Sequence, residues 1–281
     1  MSNRQSIKTF ETLAPGVRRL VAPNPSIMTG PGTNTYLIGK NELAILDPGP
    51  NIKSHIAMIQ KIAAGSIKWI VVTHTHLDHS PAAYKLAKST GAQLLGKKAP
   101  AGTKQDHKFL PNRELNDGDQ LETNEFTLTA IHTPGHASNH LCYMHKTLQW
   151  IFTGDHVMNG STVVINPPDG NMKDYLDSLA RLKKFNPVKL APGHGDLLSD
   201  PETSLDWVIK HRLKREEKVL SSLRSNPPAF IADLVKIVYN DINEKLHSIA
   251  ERSLLAHLIK LEKENHVYNK DGLWNIAKDQ Q

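Results

Sequence analysis

The stretch Val71-Val72-Thr73-His74-Thr75-His76-Leu77-Asp78-His79-Ser80-Pro81 decides how this chain reads. A short β-branched run gives way to four metal-capable side chains within six residues, with a proline suited to the first turn of a helix close behind. Neutral imidazole and aspartate oxygen are ligands for zinc and similar cations, so the run asks for a metal. In extended backbone, positions i and i+2 project to the same side, so His74 and His76 can pinch one ion. Asp78 and His79, placed where a helix is expected to begin, can turn toward a second. A lone histidine is more often hydrogen-bonded or exposed than a ligand, and most of the 15 in this chain read that way. Three imidazoles and a carboxylate at a strand end do not, because they would start a helix poorly and be costly if buried without partners.

Two metals need more ligands than these four residues, so others are expected on separate strand-end loops. His136 in His132-Thr133-Pro134-Gly135-His136, Asp155 in Thr153-Gly154-Asp155 and His194 in Pro192-Gly193-His194-Gly195 each follow a short apolar run and neighbour a glycine, which lets backbone approach closely. Working outward, residues 36–38, 43–46, 69–73, 126–131, 150–152 and 188–190 read as strands, and 51–64, 81–90 and 171–185 as helices. This alternation predicts a layered α/β domain with its chemistry in loops at strand ends. Asp47, between Leu46 and Pro48-Gly49, is expected to orient a ligating imidazole, with a plain turn role as the alternative. Asn34, Thr35 and Ser161 are candidate substrate contacts, though turn capping explains them equally.

The 281 residues allow one large domain or a large one with a small companion, and 39% apolar content predicts a buried core. The single cysteine, Cys142, excludes an intramolecular disulfide and any cysteine-rich zinc site. It lies in an apolar strand-like run and reads as an inert thiol. With no Ser-His-Asp or Cys-His arrangement in view either, the nucleophile is expected to be water. Net charge is +6, of which +5 falls in residues 1–200 (21 Lys and Arg against 16 Asp and Glu), a balance that favours polyanions. No run approaches the ~18–20 apolar residues of a membrane helix. No signal-type run opens the chain, so a cytoplasmic protein without a membrane partner is expected. After Pro201 the pattern changes. A long charged helix over 202–224 is broken by Asn226-Pro227-Pro228, then come helical stretches 229–239 and 245–264 and a hairpin with Asp271-Gly272 at its tip, which resembles a winged helix. Domains are therefore expected over 1–200 and 201–281, the second a linker helix with a winged-helix-like module.

The ordered set Gly32-Thr33-Asn34-Thr35-Tyr36, Asp47-Pro48-Gly49, Thr73-His74-Thr75-His76-Leu77-Asp78-His79, His132-Thr133-Pro134-Gly135-His136, Thr153-Gly154-Asp155 and Pro192-Gly193-His194-Gly195 resembles the metallo-β-lactamase superfamily. The resemblance implies a four-layer αββα sandwich over residues 17 to about 200. It also implies two metal ions, with zinc the default and manganese or iron acceptable. On this basis His74, His76 and His136 hold the first ion, Asp78, His79 and His194 the second, and Asp155 bridges them. Gly160-Ser161-Thr162-Val163-Val164, Asp174-Tyr175-Leu176 and the C-terminal helices look most like the β-lactamase-like endoribonucleases of animal mitochondria and their glyoxalase II-like relatives. After His136, Ala137-Ser138-Asn139-His140 replaces the family's commoner Thr-x-Gly-Ser, which draws attention to His140.

The implied mechanism is hydrolysis by a metal-bridging hydroxide. Asp78 could take a proton from the water, and His140 could protonate a leaving oxygen or bind a substrate anion. Single-stranded RNA is the expected substrate, from the basic first domain, the lysines at 97, 98, 104 and 108, and the winged-helix-like tail. A small thioester of the glyoxalase II kind is the alternative, since its metal ligands would be nearly the same. A further alternative is a broad hydrolase with β-lactamase side activity. It is weakened because zinc β-lactamases lack aspartate at the position of Asp155. In a non-enzymatic reading the tail is a dimerisation module, and a homodimer is compatible with the sequence.

Overall fold

The computed structural model describes residues 10–225 and 228–277, so Asn226-Pro227, part of the expected helix break, lies outside the described residues. The chain forms two compact units. The first comprises the chain up to His132 with Asn139–Gly160 and Pro187–Ser199, and the second Thr133–Ser138, Ser161–Asn186 and the chain from Asp200.

Two sheets make the first unit. One has seven strands in sequential order: β1 (Glu11–Ala14), β2 (Val17–Val21), β3 (Asn34–Ile38), β4 (Leu43–Leu46), β5 (Ile67–Val71), β6 (Gln93–Gly96) and β7 (Arg113–Glu114). The other has five, β8 (Gln120–Glu122), β9 (Thr127–His132), β10 (Leu141–His145), β11 (Trp150–Gly154) and β12 (Lys189–Pro192), ordered β12-β11-β10-β9-β8. Side chains alternate across a strand, and the burial follows that period. Tyr36, Ile38, Ala44, Leu46 and Val71 meet Leu128, Ala130, Tyr143 and Phe152 of the second sheet in one core. The opposite face, Leu37, Leu43, Ile45 and Ile70, packs against Ile56 and Ile59 of α1 (Lys53–Ala63) and Leu86 of α2 (Ala83–Thr90). β4, β5 and β6 are parallel, as are β11 and β12, so their C-terminal ends share an edge within each sheet. Bonds between the sheets join these edges: Asn34 N–H to the Gly193 carbonyl at 2.7 Å, Tyr36 hydroxyl to the Pro192 carbonyl at 2.7 Å, and Tyr143 hydroxyl to the Val72 carbonyl at 2.8 Å.

One local expectation is corrected. α2 begins at Ala83, so Asp78 and His79 sit in a turn before the helix and not at its start. Pro81, expected in a first turn, precedes the helix, and the Ser80 hydroxyl beside it donates to Asp106 at 2.9 Å.

In the second unit, α3 (Met172–Lys183) is capped by Asn171, whose side chain accepts the N–H groups of Lys173 and Asp174. It packs on α4 (Pro201–Ser225) and α6 (His247–Lys263). Helices α4 and α6, with α5 (Ile231–Val238) between them, share a core of Val219, Leu223, Leu234, Val238, Leu254, Leu258 and Trp274. A three-stranded sheet, β13 (Ala229–Phe230), β15 (Leu273–Ile276) and β14 (Val267–Lys270) in that order, completes a winged helix. Its hairpin turns at Asp271 and Gly272, both with positive φ (54° and 85°), the geometry that two-residue hairpin loops require. Among the described residues no helix is long and apolar enough to cross a membrane.

Phe152 is fully buried and meets Tyr36 edge-on with ring centroids 4.9 Å apart. Phe152→Ala is expected to lower the stability of the first unit by about 3–5 kcal/mol, read from the midpoint of denaturant unfolding.

Candidate metal centre

The loops after β4, β5, β11 and β12 bring Asp47, His74 to His79, Asp155 and His194 together in the first unit. One oxygen or nitrogen from each of Asp78, His79, Asp155 and His194 lies within 4.8 Å of the others. His194 Nε2 is 3.2 Å from Asp78 Oδ2 and 3.3 Å from Asp155 Oδ1, and His79 Nε2 is 3.3 Å from the same Asp155 oxygen. Beside them His74 Nε2 and His76 Nδ1 converge to 2.9 Å.

The other ring nitrogen of each of three of these histidines is already committed. His79 Nδ1–H donates to Asp47 Oδ2 at 2.9 Å and His194 Nδ1–H to the Gly32 carbonyl at 3.1 Å. The Thr73 hydroxyl donates to Asp47 Oδ2 at 2.7 Å, which leaves its oxygen to accept from His74 Nδ1–H at 3.0 Å. Buried Asp47 also accepts the Thr73 N–H at 2.8 Å. It holds φ +49°, a left-handed backbone that an aspartate adopts only when its surroundings demand it. Imidazoles tied through Nδ1 present Nε2, and the buried Nε2 atoms of His79 and His194 face the carboxylates of Asp78 and Asp155. Glycine makes the room. A Cβ on Gly193 would stand 2.6 Å from Asp155 Oδ1 and 2.8 Å from His79 Cε1. Two hard oxygens and two imidazole nitrogens, inward-facing and crowded, fit a divalent metal ion.

Burial alone would lower the pKa of His194, but the charge of Asp155 and hydrogen bonds to Asp155 and Asp78 outweigh it and hold it at about 10. Burial likewise opposes the proton on His79, yet Asp155, Asp78 and Asp47 raise it well above its ordinary value. Asp155 moves the other way: burial pushes it up, while His194 and His79 hold it well below the carboxylate range. Burial, reinforced by His79 and His76, pushes His74 far down.

The remaining expected residues fall as follows. His136 belongs to the second unit, half-buried, with Nδ1–H donating to the Val164 carbonyl at 2.8 Å. His140 is fully buried, its ring centroid 5.0 Å from that of His74. Asn34 and Thr35 are fully buried and spent on the protein itself: the Asn34 amide donates to the carbonyls of Pro192 and Gly195, and the Thr35 hydroxyl to the Asp47 carbonyl. They brace the site's loops. Ser161 is exposed in the second unit. Cys142 is buried. Sequence reasoning missed Gln105, Asp106 and Asn139, which bind the lysine-bearing loop to the ligand loop. The Thr75 hydroxyl donates to Gln105 at 2.6 Å, the Asp106 N–H to the Thr75 carbonyl at 2.7 Å, and the Asn139 amide to Thr75 and to the Lys98 carbonyl at 2.7 and 3.0 Å. Only the atypical stretch around Asn139 offered a signal in sequence.

Comparison with known proteins agrees with this geometry. The model of the metallo-beta-lactamase superfamily matches residues 28–194, and that of the beta-lactamase associated winged helix domain matches 231–274. The chain is 30% identical over 277 residues to the beta-lactamase-like protein 2 homolog of Caenorhabditis elegans, covering 96% of this chain and 92% of that one. It is 27% identical over 223 residues to an atrochrysone carboxyl ACP thioesterase of Cryptosporiopsis, covering 77% and 66%. The crystal structure of a metallo-beta-lactamase family protein from Thermus thermophilus matches with a TM-score of 0.79 at 20% identity, over 94% of this chain and all of that one.

Two outcomes are expected. The stability that the His194 proton contributes is full below its ordinary pKa of 6.5 and is lost as pH rises through about 10. A metal competing for Nε2 therefore gains over the same interval, by about tenfold per pH unit for each proton displaced. Calorimetric zinc titrations in buffers of different ionisation enthalpy should show proton release at pH 7.5. Gly193→Ala should abolish uptake at the site of His79 and His194 while the protein stays folded by circular dichroism.

Proposed function

The chain belongs to the metallo-β-lactamase superfamily, and from that premise we propose that it is a binuclear metal-dependent hydrolase cleaving phosphodiester bonds of single-stranded RNA. In this reading His74, His76 and His136 hold one ion and Asp78, His79 and His194 the other, with Asp155 shared and zinc the first choice of metal. Ions so held supply an acidified water and Lewis acidity toward the oxygen on which charge develops.

The chain's own residues do the rest. Asp78 keeps 28% of its side chain exposed, against 12% for Asp155 and less for the two histidines, so it is the group open to accept a proton from the attacking water. His140, next to His74, is the proposed proton donor to the leaving oxygen. Asp47 fixes His79 and, through Thr73, His74, so that neither ring turns as charge builds.

One observation supports RNA over other anions: the loop carrying Lys97, Lys98, Lys104 and Lys108 is hydrogen-bonded at Gln105, Asp106 and Lys98 to Thr75, Ser80 and Asn139 around the ligand run. Lys104 and Lys108 are exposed, while Lys98 pairs with Glu114 at 2.7 Å. Exposed cations on a loop tied to the His74–His79 run suit a phosphate backbone.

A second reading, thioester hydrolysis, is favoured by the relative named as an acyl carrier thioesterase and by two leucines on the same loops. Leu77 and Leu110 are 62% and 64% exposed, as an apolar acyl chain would want them.

One zinc-loaded preparation assayed against a fluorescent single-stranded RNA, S-lactoylglutathione and a cephalosporin separates these readings. Cleavage of RNA is expected. Turnover of the thioester alone would overturn the substrate, and no turnover of any would overturn the hydrolase. Lys104→Glu with Lys108→Glu should reduce the salt dependence of RNA binding by about 1.4 in log–log slope, from two lost phosphate contacts. His140→Ala should lower kcat by about 10²–10⁴-fold, and unchanged turnover would remove it from the mechanism.

A further inference from the structure

α4 and α6 carry two buried polar side chains that reach the same short segment of the second unit. Arg212 on α4 is 3% exposed and Ser253 on α6 is 5% exposed. An Arg212 amino group donates to the Val163 carbonyl, and the Ser253 hydroxyl oxygen accepts the Ile165 N–H at 3.1 Å. The peptide between these contacts joins the Val164 carbonyl to the Ile165 N–H, and that carbonyl accepts Nδ1–H of His136 at 2.8 Å. Two successive peptide planes are thus fixed from the C-terminal helices, and the second of them sets the tautomer and tilt of an imidazole.

Arg212 is an expensive choice for this position. Burying a guanidinium costs several kcal/mol unless it is paired, and among the described residues no carboxylate lies within ion-pair distance of it. Its other support is the ring of Tyr175, 5.3 Å from the guanidinium carbon. Tyr175 in turn backs the ligand loop. A Cβ on Gly135, which has φ +139°, would stand 2.3 Å from Tyr175 Cα, and the Gly135 carbonyl accepts the Asn171 N–H at 2.8 Å. The Ser178 hydroxyl holds the neighbouring Pro134 carbonyl at 2.8 Å. The backbone before His136 is therefore pinned on α3, and its ring on the segment held by Arg212 and Ser253.

We propose that Arg212 and Ser253 are positioning residues for His136, acting through the Val163–Ile165 backbone, so that α4 and α6 set the orientation of its ring. The proposal rests on the reading of His136 as a ligand. A ring held by Nδ1 presents Nε2 in one direction, and loss of such a partner typically weakens metal affinity 10–100-fold.

The test is zinc titration against a chromophoric chelator, which resolves the two affinities without reference to turnover, with unfolding midpoints measured in parallel. Ser253→Ala and Arg212→Met should each weaken one zinc site by about 10–100-fold and leave the other within error. Arg212→Lys should recover part of the loss. His136→Ala should weaken the same site. Unchanged zinc affinities in Ser253→Ala and Arg212→Met, with only a lower unfolding midpoint, would overturn the proposal while His136→Ala still reports a ligand. If His136→Ala itself leaves both affinities intact, the ligand assignment fails and takes the proposal with it. Should Arg212→Met not fold, Ser253→Ala decides.

Discussion

Buried imidazoles can present a bare Nε2 only if Nδ1–H has somewhere else to go. His79 uses the Asp47 carboxylate, His194 the Gly32 carbonyl, His74 the Thr73 hydroxyl that itself leans on Asp47, and His136 the Val164 carbonyl. The outer acceptor fixes both the tautomer and the plane of the ring, and each acceptor is buried or half-buried, where it cannot exchange with water. Asp47 carries the greatest share, with three hydrogen bonds accepted on one carboxylate and a backbone in the left-handed region. That conformation follows from geometry. β4 must end at the sheet edge and turn at once, so that the carboxylate faces the loop after β5 while Pro48-Gly49 carries the chain toward α1.

The sheets exist, in functional terms, to bring these outer acceptors into register. Parallel pairing of β4 with β5 and of β11 with β12 sends four loops off the same two edges. Hydrogen bonds from Asn34 and Tyr36 to Pro192, Gly193 and Gly195 then clamp one edge to the other. Asn34 and Thr35, candidate substrate contacts in sequence, are buried, and their side chains hydrogen-bond the carbonyls of Pro192, Gly195 and Asp47 in these loops.

Local patterns in the sequence carry the centre well. The His-x-His-x-Asp-His run and the three strand-end loops announce a metal, because imidazole at such density has no cheap structural use, and four of those residues meet in one cluster. The strands rich in β-branched residues and the helices over 172–183 and 247–263 are equally legible. Less legible are β1, β2 and β8, whose mixed polar and apolar residues acquire a buried face only by pairing with neighbours. Ser80, before α2, gives its hydroxyl to Asp106, a partner 26 positions away. No local pattern could reveal that Arg212 and Ser253, in helices that read as an appendage, reach the backbone behind His136. Sequence periodicity reports what a residue does within its own element and is silent about carbonyls it finds elsewhere.

Charge balance explains how so polar a cluster survives burial without unfolding the loops around it. His194 and His79 hold their protons well above the usual range because Asp155 and Asp78 stand beside them; Asp155 in turn stays ionised well below its usual range, and Asp78 is lowered too. His79 and His194 face Asp78 and Asp155 at 3.2–3.6 Å, so a metal ion taking Nε2 would have to displace the protons those carboxylates favour there. A divalent ion in place of two protons would leave the total charge of the cluster unchanged. Cation binding at Nε2 and proton release from it are therefore linked.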